Sequence, residues 1–434
     1  MSVRGVLLTV LCCLFSFIVK ADNILVETES FADKGGWKID QQFMDQMGSP
    51  YLIAHGMGHP VADAHTTFFV NEGGDYKVYV RTYNWTSPWF NGKGPGRFTV
   101  KINNSQVGIS GDTGSAWNWF CLGTTRLRKG VNKILLHDLT GFDGRCDALF
   151  FSNSEDKPDN GMGNNWRQQF NPRKKTERTY DFVVIGGGIA GMCAAASAAR
   201  LGLRVALVND RPIWGGCNSS DIRVHLGGDI EVEPYPSLGR LINEFGPSHG
   251  GNAQPARQYE DCKKDSFLKA QQRLFLYPSY RAVSVSNYKN KIRSVIIEQI
   301  ESGNCIELYA PLFADCTGDG TVGYLAGADF RMGRESKSEF GEERAPEVAD
   351  SMTMGASVQW YSVKGKEKFP EFSYGMGFND DNCDNVTMGE WTWETGMDKN
   401  QITQAEQIRD YGLMAVYGTW SWLKNHSVHK ADYI

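Results

Sequence analysis

"DFVVIGGGIAGMCAAASAARLGLRVALVND", residues 181–210, decides how the second half of this chain folds. Residues 182–185 form a continuous apolar run, as in a strand buried on both faces. Gly186, Gly188 and Gly191 follow with the spacing G-x-G-x-x-G. The first glycine suits a tight turn. The second lets a diphosphate approach the backbone, and the third lets a helix pack closely on the strand. The spacing predicts a helix over about 190–201, ended by Gly202, and a second strand over 204–208. The helix start, which includes Ile189 and Ala190, offers N–H groups and a dipole worth ~0.3–2 kcal/mol to an anion. Glycine-rich turns are common. A strand, a helix and a second strand around this one point to a dinucleotide site. An acidic residue usually ends the second strand of such a unit and holds a ribose. Here that position is Asn209, followed by Asp210, and either is a candidate.

Working outward, 434 residues accommodate two or three domains at ~100–200 residues each. A net charge of −5 gives no reason to expect nucleic acid as a partner. Residues 1–21 read as a signal peptide. Arg4 precedes an apolar run over 5–19, too short to span a bilayer comfortably, and Val19-Lys20-Ala21 precedes Asp22. No twin-Arg pair precedes the run, and no later segment is apolar enough to cross a membrane. The expectation is an exported protein, periplasmic or secreted. Cys12 and Cys13 fall in the leader, and the remaining cysteines are scattered without a C-x-x-C pair. In an exported protein Cys121 and Cys146 are candidates for a bridge; free buried thiols are the plainer alternative. No metal site is expected.

Residues 22–152 read as a β-sandwich. The stretches 65–70 "HTTFFV", 75–83 "DYKVYVRTY", 97–103 "RFTVKIN" and 132–139 "NKILLHDL" are rich in β-branched and aromatic residues. Gly, Asn and Asp clusters such as "NEGGD" over 71–75 separate them. "GGDYKVYVRTYNW" (73–85) and "VNKILLHDLTGFDGRCDALFF" (131–151) resemble jelly-roll carbohydrate-binding modules of the golvesin or xanthan-lyase type. Tyr83, Trp85, Trp89 and Phe90 crowd one loop, either as a stacking platform for a sugar or as packing against the second domain. Residues 153–178 are polar, rich in Asn and Pro, and read as a linker.

Residues 179–434 form the second domain, a Rossmann-like α/β fold with a β-meander insertion. "RPIWGGCNSSDIRVHLGG" (211–228) follows the second strand, and "LFADCTGDGTVGYLAGADFRMGRE" (312–335) comes about a hundred residues later. Between them, "VSVSNYKNKIRSVIIEQIESGNCIELYA" (283–310) reads as a meander with turns near Asn290 and Gly303. In this order the segments resemble the FAD-dependent oxidoreductases of the glutathione-reductase fold type, as found in secreted bacterial proteins. "GEWTWETGM" (389–397) and "IRDYGLMAVYGTWSWLKNHS" (408–427) are similar to later blocks of that family. The resemblance implies FAD as cofactor. It implies that the turn from Gly186 to Gly191 meets the diphosphate and that Asn209 and Asp210 meet the ribose. Gly215, Gly216, Asn218, Ser219 and Ser220 would approach the pyrophosphate and the flavin ring. Thr317, Gly318, Asp319 and Gly320 would meet the ribityl–phosphate region. It further implies that the domain is incomplete at its C-terminal end, where a closing helix is expected.

Cys217 has no second cysteine before Cys262, so dithiol chemistry is disfavoured. Oxidation of an alcohol needs a base for the hydroxyl proton, and a histidine suits that task. His225, with Arg223 alternating on the same short segment, is the candidate base, against a structural histidine. Arg223 would place a substrate oxygen or flank the flavin. Trp391, Trp393 and Glu394 are candidates for lining a substrate pocket, against plain packing. The leading expectation is an exported FAD-dependent oxidoreductase acting on a carbohydrate or related hydroxylated compound. The alternatives are a glycan-binding protein with an inactive flavin domain and an NAD-binding Rossmann protein.

Overall fold

Strict alternation builds the first domain: from Asn132 to Asp138 every second residue of the strand Gly130–Asp138 is buried. The computed structural model describes residues 22–161, 164–229, 231–362, 368–375, 377–383 and 394–426. The leader and the candidates Trp391 and Trp393 lie outside these residues. One antiparallel sheet orders Asn23–Glu27, Ala148–Ser152, Gly74–Thr82 and Asn118–Leu127. A second orders Ala64–Val70, Gly130–Asp138, Phe98–Ile102 and Ser105–Ser110. Val78, Val80 and Leu149 of the first sheet meet Val70, Val100 and Ile134 of the second in one core. Phe68 and Phe151 stack across it at 4.7 Å. A smaller sheet of Phe142–Cys146, Tyr51–His55 and Lys38–Asp40 completes the jelly-roll sandwich. Each predicted strand overlaps one of these elements, with ends that differ by a few residues. The Cys121–Cys146 bridge is not formed: Cys146 is buried, Cys121 is exposed, and both are free thiols.

The 153–178 stretch is more than a bare linker. It carries the helix Asn164–Gln168 and the strand Lys175–Thr179, which pairs in parallel with Cys305–Tyr309. Arg167 ties it to the sandwich, reaching Glu27 at 2.7 Å and Asp147 at 2.5 Å, while Arg81 reaches Asp147 at 2.8 Å. Burial pushes the Glu27 carboxyl up to about 7, although Arg167 opposes that shift.

The second domain has three layers. Its central parallel sheet orders Leu274–Pro278, Val205–Asn209, Phe182–Ile185 and Leu312–Asp315. Every residue of Val205–Asn209 is buried, because both faces are covered. On one face Val184 and Leu207 pack against Met192, Ala195 and Ala199 of the helix Ile189–Arg200. On the other, Val183, Ile185 and Ala206 pack against Val295, Ile297 and Leu308 of the meander. The meander strands are Tyr280–Tyr288, Lys291–Gln299 and Cys305–Tyr309. Lys289, Asn290 and Gly303 sit at positive φ, at the two predicted turns. From Phe182–Ile185 the chain moves outward to Val205–Asn209 and Leu274–Pro278, then crosses to Leu312–Asp315 on the other side, and such a switch leaves a crevice outside the strands' C-terminal ends.

The helix Ala405–Asn425 buries a stripe of Leu413, Val416, Trp420 and Leu423. Much of what it packs against belongs to the sandwich. Leu413, Met414, Tyr417 and Trp420 share a core with Tyr83, Trp85 and Phe142. Arg145 donates to Asp410 at 2.6 and 2.9 Å and to Glu406 at 3.1 Å. Tyr417 donates to Asp143 at 2.8 Å, whose other oxygen bonds His55 at 2.8 Å. The loop of Tyr83, Trp85, Trp89 and Phe90 is therefore not an open sugar platform. Tyr83 and Trp85 are buried, and Trp89 and Phe90 pack on Tyr411 and Tyr374. Buried as they are, Tyr83 and Trp85 have no free ring face for a pyranose.

Candidate functional site

The glycine turn sits at the crevice. Gly186 has φ +107°, and a Cβ there would come within 2.3 Å of the Cys316 carbonyl oxygen. A Cβ on Gly191 would lie 1.8 Å from the Gly186 carbonyl oxygen, so the helix packs this closely only with glycine. Gly188 differs from both: a Cβ there meets nothing nearer than the Gly216 Cα at 4.0 Å. Packing does not demand this glycine. The space beside it fits an approaching diphosphate. The N–H groups of Ile189, Ala190 and Gly191 precede the bond that Met192 donates to the Gly188 carbonyl at 2.9 Å, so they lie among the unpaired donors of a helix N-terminus.

The 211–228 segment folds over this turn. Gly215 bridges Gly188 and donates to the Gly187 carbonyl at 2.9 Å. Asn218 is buried and donates to the Val224 carbonyl at 3.0 Å, while its Oδ1 has no hydrogen-bond partner. A buried acceptor left this way is costly, and a ribityl hydroxyl or a ring N–H would satisfy it. Ser219 is buried and donates to the Gly216 carbonyl at 2.7 Å. The Ser220 N–H bonds Asp261 at 3.2 Å. These two serines brace the loop from within.

The structure gives a reason for Asn209. Its Oδ1 accepts from the Gly187 N–H at 3.1 Å, and its Nδ2 donates to the carbonyls of Arg211 and Ile213 at 3.0 and 2.7 Å. A carboxylate has no donor and cannot make this set. With Asn209 engaged in the loop, Asp210 is the exposed acidic residue at the strand end.

Residues 316–320 lie on the other side of the turn. Thr317 donates to Asp315 at 2.6 Å and accepts from the Thr321 N–H at 2.8 Å. Asp315 also accepts from the N–H groups of Val322 and Gly323 at 2.8 and 2.9 Å. Gly318, Asp319 and Gly320 are exposed beyond it, with open space at both glycines. Sequence reasoning missed Asp315, although an aspartate two residues before a threonine at a helix start is a capping signal. It also missed Lys264. This lysine is fully buried beneath Gly215 and bonds the Tyr259 carbonyl; burial lowers its pKa.

His225 is exposed at the end of the loop. Its ring Nδ1 lies 2.8 Å from Asn252 Oδ1. The expected alternation with Arg223 is not found: Arg223 has φ +63° and no strand forms at 221–229. The turn instead bonds the Arg223 Nε to the Ser220 carbonyl at 3.0 Å and sets its guanidinium 5.2 Å from the Tyr361 ring centre. Glu394 is half-buried against Gly355 and lies in no helix or strand.

If Gly188 marks the diphosphate's approach, Gly188→Val should lose flavin and keep its fold. Filling that space with a branched side chain costs ~1–3 kcal/mol of overpacking, an affinity loss of about 5–150-fold. Flavin occupancy and circular dichroism of the purified variant check this; full occupancy contradicts it.

A family model described as FAD dependent oxidoreductase matches residues 181–429. No curated protein matches the chain. A family 35 carbohydrate-binding module from Clostridium thermocellum is 16% identical with TM-score 0.24, over 30% of this chain and 96% of that one. The CBM36-1 domain of a multidomain xylanase from the hindgut metagenome of Trinervitermes trinervoides is 17% identical with TM-score 0.24, over 31% and 100%. The myxobacterial chondrochloren halogenase, an FAD-dependent halogenase, is 16% identical with TM-score 0.23, over 33% and 38%.

Proposed function

Because this chain belongs to the FAD-dependent oxidoreductase family, we propose that it oxidises a carbohydrate or related hydroxylated compound outside the cytoplasm. The observation that carries the reading is the open cradle at Gly188, set between a helix N-terminus and the loop that bears Asn218 and His225. Gly186, Gly188 and Gly191 receive the diphosphate, Asp210 the ribose, and Asn218 with the 317–320 loop the ribityl side. Bound FAD supplies the two-electron acceptor for the substrate's hydride. His225 takes the hydroxyl proton as the C–H bond breaks and the carbonyl forms. Arg223, held in direction by Tyr361, places the substrate oxygen. Glu394 lines the substrate side.

The apolar run before Asp22 supports export. Among the described residues no helix is long and apolar enough to cross a membrane. The buried Tyr83 and Trp85 count against a purely glycan-binding role through that loop. The test is anaerobic reduction of the bound flavin by a panel of sugars, sugar acids and polyols. Bleaching by a member of the panel is the expected result. Flavin that stays oxidised with every member, yet is reduced by dithionite, contradicts the reading.

A further inference from the structure

The contact between His225 and Asn252 fixes which imidazole nitrogen can take a proton. Asn252 is 8% exposed. Its Oδ1 accepts the main-chain N–H of His225 at 2.8 Å and lies 2.8 Å from the ring Nδ1. A main-chain N–H only donates. It therefore determines the orientation of the Asn252 amide, because a flipped amide would set NH2 against N–H. With an oxygen at that place, Nδ1 must carry a hydrogen. Neutral imidazole has one ring hydrogen, so Nε2 is the bare nitrogen with its lone pair available.

The support for this arrangement is rigid. The Ala253 N–H donates to the Arg223 carbonyl at 2.9 Å. The Tyr259 hydroxyl, on a side chain 2% exposed, donates to the same carbonyl at 2.6 Å and accepts the Gln254 N–H at 3.2 Å. Residues 251–254 and 223–225 are thus clamped from both sides of the Asn252–His225 pair. Space at Nε2 is also limited: a Cβ on Gly227 would lie 3.2 Å from it. Gly227 keeps that approach uncrowded.

We propose that Asn252 is a positioning residue that holds His225 in its Nδ1–H form, so that Nε2 is the atom that receives the substrate's hydroxyl proton. The inference rests on the reading of His225 as the base. An alcohol substrate loses its hydroxyl proton to Nε2, and the ring becomes an imidazolium with hydrogens on both nitrogens. The C–H electron pair would leave as hydride to an FAD held at the Gly188 cradle, which would be reduced by two electrons, and the C–O bond would become a carbonyl. Asn252 Oδ1 keeps its hydrogen bond to Nδ1 in both states and undergoes no reorganisation during the transfer.

Long-range proton–nitrogen correlation of the whole chain, labelled with 15N-histidine, tests this without a substrate. His225→Gln identifies the signal. In the neutral ring Nδ1 should show the shift of a protonated nitrogen and Nε2 that of a bare one. Asn252→Leu should transfer the hydrogen to Nε2, whereas Asn252→Asp, which still accepts both bonds, should retain it on Nδ1. A bare Nδ1 in the wild type, or an unchanged pattern in Asn252→Leu, overturns the inference; neither would alter a rate loss seen in His225→Ala. An intact Nδ1–H form together with an unchanged rate in His225→Ala would overturn the base reading, and with it the purpose assigned to Asn252.

Discussion

His225→Ala should slow reduction of the bound flavin by ~10²–10⁴-fold while leaving its visible spectrum almost unchanged. The size of the effect follows from removing a positioned base from an alcohol's hydroxyl proton. The unchanged spectrum follows from location. His225 is exposed at the far end of the loop, whereas Gly188, Gly216 and Asn218 form the cradle. Stopped-flow anaerobic reduction with a sugar that bleaches the wild type measures the rate. A rate within a few-fold of wild type would leave His225 as a packing residue and move suspicion to Glu394. Loss of the flavin would assign His225 to the cofactor site instead.

Asp410→Ala should destabilise the protein by ~3–5 kcal/mol, the cost of breaking a buried ion pair by removing one partner. Arg145 is 0% exposed and Asp410 2%. Two hydrogen bonds, at 2.6 and 2.9 Å, join them. Without Asp410 the guanidinium keeps Glu406, whose own carboxyl is pushed up by burial. Arg145→Met combined with Asp410→Leu should recover part of the loss, because the Arg145 guanidinium is then not left buried without Asp410, while Arg409 keeps its pairing with Asp40. Urea unfolding followed by tryptophan fluorescence is suited to the comparison, since Trp85 lies in the same interface. A single variant within ~0.5 kcal/mol of wild type, the range of ordinary surface substitutions, would mean that the helix Ala405–Asn425 does not depend on the sandwich for its docking.

Local chemistry explains what was legible in the sequence. Gly186 and Gly191 answer to steric demands within a few residues, and the apolar runs over 182–185 and 205–208 answer to burial on two faces. Those demands write a short-range pattern. The meander turns at Asn290 and Gly303 were readable for the same reason. Long-range pairing left no such mark. The strand Asn118–Leu127 has an irregular burial pattern and a register shift opposite Val78 and Tyr79, so it lacks a clean period of two. The partners of Asn252, Asp410 and Arg167 lie 27, 265 and 20 residues away in the chain. Nothing near them in sequence announces those contacts. Aromatic residues left two readings open for a related reason: Tyr83 and Trp85 suit a sugar platform or a packed interface, and only the helix packed against them decides for the second. The Arg223–His225 alternation failed because Arg223 adopts a left-handed turn that its residue type does not favour.

The cradle at Gly188 is tested most directly by titrating FAD into the purified chain, with NAD as competitor, and following flavin fluorescence and the visible bands. The account predicts saturable FAD binding that an excess of NAD does not displace and that Gly188→Val weakens. Binding of NAD with no measurable affinity for FAD would contradict it.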